Sequence, residues 1–89
     1  MTDNLSLAEG RRAKRAMQKV LARELSNIRP ALRQCGTEGR ANIRCLVALT
    51  DWLAATPEHD LATLLVIFEE FESCLSSVDR LLGASAPPH

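Results

Sequence analysis

With 89 residues, 46% of them hydrophobic and 25% charged, the chain has room for one small domain, and its formal net charge of zero nominates no partner on global grounds. No apolar run approaches the ~20 residues that cross a bilayer, the start lacks the apolar stretch of a secretory signal, and three cysteines without paired spacing imply a reduced, cytoplasmic protein. So small a domain buries a modest share of its surface, and a partner or a second copy would add to its stability.

The charges are unevenly distributed. Residues 1–44 hold ten basic residues against four acidic ones, a net +6, and residues 45–89 hold one against seven, a net −6. Arginine outnumbers lysine nine to two, the usage of a GC-rich bacterial or phage genome.

Residues 1–5 are polar and expected to be disordered. A first helix is predicted from Ser6, which has capping-box spacing to Glu9. Its apolar face, Leu7, Ala13, Met17, Val20, Leu21, Leu25, Ile28, Leu32 and Cys35, continues to Gly36. Pro30 removes a hydrogen bond and crowds the carbonyl of Ser26, so a kink near residues 26–29, or a break into two helices, is expected. Beside the apolar face runs a basic stripe: Arg11, Arg15, Lys19 and Arg23 at steps of four, with Arg12 alongside and Arg29 and Arg33 continuing it. Such a stripe is either a solvated helix face or a binding surface for something acidic.

Gly36 fits the end of helix one and Thr37 the cap of a second helix reaching about Ala55, with Gly39 weakening its first turn. Ile43, Leu46, Val47, Leu49, Leu53 and Ala54 cover one broad side, extended by Cys45 and Trp52, and only Arg40, Arg44 and Asp51 mark a polar strip. An arc this wide implies a central place in the bundle or surface kept for another chain. Trp52, at its margin, is a core-edge residue or an interface anchor.

Residues 56–83 carry the clearest pattern. Leu61, Leu64, Phe68, Phe71, Leu75, Val78 and Leu82 form a heptad seam, widened by Leu65, Ile67, Cys74 and Leu81, while Glu69, Glu70, Ser73, Ser76, Ser77 and Arg80 fall opposite. Thr56 is the expected cap, with Pro57 at the first helical position, Glu58 and Asp60 on the positive end of the dipole, and Gly83 as the stop. Residues 84–89 read as a disordered tail.

These elements predict an all-α fold: a small three-helix bundle over residues 6–83, with a long first helix and antiparallel neighbours, in which uncovered parts of the outer seams would suit a homodimer.

Chemistry is hard to find in this chain. His59 and His89 have no zinc-ligand spacing around them, Glu58, His59 and Asp60 diverge on a helix, and Cys35, Cys45 and Cys74 lack a placed base. Gly36 and Gly39 are not followed by the Lys and Ser or Thr of a phosphate loop. No catalytic residue, cofactor or metal is expected, and the chain is read as a non-enzyme. Binding to a membrane surface is disfavoured because helix one lacks interfacial aromatics. Two classes remain. In the first, Arg11, Arg12, Arg15, Lys19 and Arg23, with Trp52 as anchor, bind another protein with an acidic surface, making this a small regulator, inhibitor or adaptor. The size and arginine usage would suit a phage or mobile-element protein blocking a host machine, an anti-CRISPR being one kind. In the second, the same stripe contacts nucleic-acid phosphates, against which stand the acidic third helix and the scarcity of stacking aromatics.

Overall fold

The structure, a computed structural model, describes the backbone of residues 2–85 and the side chains of residues 8–83. Residues 1 and 86–89, parts of the two segments expected to be disordered, lie outside the described residues. Three helices pack against one another: α1 (Thr2–Arg33), α2 (Gly36–Ala55) and α3 (Leu61–Ser85), with no strand among the described residues. The all-α, three-helix bundle is therefore the observed architecture.

The helix limits depart from the expected signals in instructive ways. Ser6 lies inside α1 rather than at its start, and Pro30 lies inside it without dividing it. Pro30 is exposed and only three residues follow it, so little of the helix depends on the hydrogen bond it removes. The chain then turns tightly, with the Gln34 N–H donating to the Ala31 carbonyl (3.2 Å) and the Cys35 N–H to that of Leu32 (3.0 Å). Gly36 follows at φ 68°, the left-handed conformation that only glycine adopts without cost. Because this turn leads straight into α2, Thr37 falls within the first turn instead of capping it.

Thr56 closes α2 and does not open α3. Its N–H returns to the Leu53 carbonyl (3.2 Å) and its hydroxyl donates to the Trp52 carbonyl (2.7 Å). The cap of α3 is Asp60: one carboxylate oxygen accepts the Thr63 N–H (3.1 Å) and the other the Thr63 hydroxyl (2.7 Å). Residues 57–60 are thus a turn, closed by the Asp60 N–H on the Pro57 carbonyl (3.1 Å). At the other end α3 passes through Gly83, whose φ is not positive, so Gly83 is no stop.

Contacts fix the helix directions. Gly39 near the start of α2 abuts Leu32 near the end of α1, while Lys14 reaches Ala54 and Thr56 at the end of α2, so α1 and α2 are antiparallel. Gly10 abuts Glu58 and Leu61, which sets α1 and α3 parallel. The core is Leu21 and Leu32 from α1, Leu46, Leu49 and Leu53 from α2, and Leu64, Ile67, Phe71, Cys74 and Val78 from α3. Leu46, Leu49 and Leu53 of the broad apolar arc of α2 are therefore used internally, with Ile43 packed against them, while Cys45, Trp52 and Ala54 are exposed.

The buried line of α3 is rotated from the heptad seam. Leu64, Ile67, Phe71, Cys74 and Val78 face inward, leaving Leu61, Leu65 and Phe68 40%, 58% and 42% exposed. The apolar arc of α3 is wider than its two neighbours can cover, and the α1–α3 seam is the sparsest of the three. The bundle measures 56 × 24 × 18 Å, elongated along α1.

Candidate protein-binding surface

The basic residues of α1 divide into two groups by what they touch. Lys14, half-buried, donates from Nζ to the carbonyls of Thr56 (2.7 Å) and Ala54 (3.2 Å). These are carbonyls at the end of α2 that the helix cannot satisfy itself, and a cation there also meets the negative end of the helix dipole. One turn earlier, Arg11 Nε pairs with Glu58 Oε2 at 3.1 Å, between largely exposed side chains, a bond that adds little stability but commits the guanidinium. Arg11 and Lys14 therefore hold α1 to the α2–α3 turn. Of the predicted binding residues, Arg12, Arg15, Lys19 and Arg23 remain on the exposed outer side of α1.

Trp52 is 42% exposed on α2. It lies two turns beyond Cys45, whose thiol neighbours that of Cys74 on α3, so Trp52 shares the flank of α2 turned toward α3. The basic stripe and Trp52 are thus on different sides of the bundle and do not form one site. The apolar surface that does border the stripe was hidden in the sequence by the heptad reading.

This surface is a groove of about 370 Å³ between α1 and α3, lined by Ala13, Ala16, Met17, Leu61, Leu64, Leu65 and Phe68. Val20, 47% exposed, continues it one turn further along α1. On α1 the strip is edged by Arg12, Lys19 and Arg23, each three or four residues from Ala16 or Val20 and so next to them on the helix surface. On α3 it is edged by Glu69 and Glu72, four residues beyond Leu65 and Phe68. The sequence signal that could have found the groove is the run of alanines, Ala13 and Ala16, facing large side chains: short residues on one helix leave long ones on the other without cover.

A second cleft, of about 460 Å³, is lined by Arg33, Arg40, Ile43 and Arg44 where α1 and α2 meet, and Arg29 Nε is buried without a hydrogen-bond partner. It extends the basic character of α1 onto α2.

The other chemically capable groups are placed for structure. Asp60 is held below the ordinary carboxylate value of 3.8 by the hydroxyl and N–H bonds from Thr63 and, more weakly, by His59. Burial first, and then the thiol of Cys45, push Cys74 up to about 12, so at neutral pH it stays a protonated core side chain. Cys35 donates to the Ala31 carbonyl at 3.4 Å. No group of three or more His, Cys, Asp or Glu side chains able to hold a metal occurs among the described residues, nor is any described helix long and apolar enough to cross a membrane. No family model matches this chain, and neither a curated protein nor a solved structure matches it.

Proposed function

We propose that this protein is a non-enzymatic binding module for another protein, acting as a small regulator, inhibitor or adaptor through the α1–α3 face. The observation that carries this is the set of large apolar side chains, Leu61, Leu65, Phe68 and Val20, left 40–58% exposed on one face beside Arg12, Lys19 and Arg23. A contiguous apolar strip with a charged edge is what a protein partner covers, whereas a phosphate backbone gains nothing from covering it. A photo-crosslinking amino acid at Leu65 or Lys19, introduced in cells, should give protein adducts, and one at Trp52 should give few. Adducts from Trp52 alone, or none from Leu65, would overturn the assignment of the face.

Nucleic-acid binding is the second reading, favoured by the cleft in which Arg33, Arg40 and Arg44 converge around Ile43. Exposed Glu69, Glu70, Glu72 and Asp79 on α3 weigh against it. Titration with short duplex DNA and RNA at two salt concentrations separates the readings, since phosphate binding would weaken steeply with salt.

A further inference from the structure

We infer that the occupant of the α1–α3 face is a second copy of this chain, paired about a two-fold axis parallel to the helices, so that α1 of each copy lies on α3 of the other. This rests on the reading of that face as protein-binding and names the partner. The face offers both halves of an interface. Ala13 and Ala16 on α1 are low, and Leu61, Leu65 and Phe68 on α3 stand proud and exposed, so each copy carries both the depression and the ridge. The flanks carry opposite charge, Arg12, Lys19 and Arg23 on the α1 side and Glu69 and Glu72 on the α3 side.

Two symmetric ways of stacking such a face exist, and charge chooses between them. An axis across the helices would lay α1 on α1 and α3 on α3, setting arginine against arginine and glutamate against glutamate. An axis along them lays α1 on the partner's α3 and keeps every level the same, since a two-fold contact is isologous. Levels follow from Gly10, which sits beside Leu61, together with the equal rise of the two parallel helices. Lys19 then comes level with Glu69, and Arg23 lies within about one turn of Glu72. Opposite charges meet twice on each side of the axis, which fixes the orientation more than it adds affinity. Glu24 and Glu72 close the apolar strip, so the footprint extends about 17 Å along the helices, a small interface of the concentration-dependent class.

Sedimentation equilibrium of the full chain, from micromolar to near-millimolar concentration, tests this with two double variants. Wild type should dimerise reversibly and more weakly as salt rises. Lys19→Glu/Arg23→Glu and Glu69→Lys/Glu72→Lys should each dissociate about tenfold or more at equal helicity, and an equimolar mixture of the two should restore a one-to-one dimer. The restored dimer shows that both variants fold. A wild type monomeric throughout would overturn self-pairing, and Leu65 adducts to a foreign protein would then still support the functional reading; absence of both would remove that reading too. A dimer indifferent to both variants, or Lys19→Glu/Arg23→Glu binding wild type more tightly than wild type binds itself, would overturn the arrangement.

Discussion

The two seams that α1 makes differ in kind. Against α2 it packs backbone to backbone: a Cβ on Gly39 would fall into the Leu32 carbonyl, Leu21 and Leu32 are fully buried, and Lys14 ties off the end of α2. On the side of α3 the close approach is at Gly10, to the backbone of Glu58 in the turn before α3, and further along the side chains stand half in water. The lesson is that one helix closes a core on one side and leaves a half-exposed apolar groove on the other. Where large residues of α1 meet α2 they make the core, and where alanines of α1 meet large residues of α3 they leave a surface.

The contrast breaks hardest at the tight side. Leu53→Ala, at a site with no exposure, should cost about 3 kcal/mol in thermal or urea unfolding, while Leu65→Ala should cost under about 0.5 kcal/mol. Equal losses would mean that the groove is core after all.

Gly39→Ala sharpens the same point through its sign. Helix propensity alone would stabilise by about 1 kcal/mol, but the collision with the Leu32 carbonyl forces the helices apart and should leave a net loss of about 1–2 kcal/mol. A gain in melting temperature would show that the α1–α2 seam is looser than described.

Lys14→Met keeps the stem and removes the ammonium from the Ala54 and Thr56 carbonyls, with an expected loss of about 1 kcal/mol. Arg12→Met, with no such bond, should be neutral to stability within about 0.5 kcal/mol.

The smallest effect is pH-dependent. Because the folded state lowers the pKa of Asp60, its charged cap adds stability above the unfolded value near 3.8, and this is lost as pH falls through the lower folded value. Asp60→Asn should therefore melt below wild type at neutral pH and converge with it in strong acid. A difference that persists unchanged in acid would show that the charge has no part in the cap.

Much of this was legible in the sequence and some was not, for physical reasons. Helical periodicity located three helices because each buries an apolar face, and Gly36 marked the first turn because its left-handed φ demands glycine. Caps were less legible. Thr56 and Asp60 both carry cap chemistry, and only the tertiary path shows Thr56 bonding back into α2 while Asp60 receives Thr63. The inward face of α3 was misplaced by its own excess of apolar residues, since periodicity measures an arc and neighbours decide which part of it is buried. Lys14 went unnoticed among the basic residues because its role lies in carbonyls forty residues away.

The central claim, that a second copy of the chain covers the α1–α3 face, is tested most directly by hydrogen–deuterium exchange at micromolar and at near-millimolar concentration. Residues 13–23 of α1 and 61–72 of α3 should gain protection with concentration, while the flank of α2 around Trp52 should not change. Protection rising around Trp52, or around the Arg33–Arg40–Arg44 cleft, with the α1–α3 face unchanged, would contradict the account.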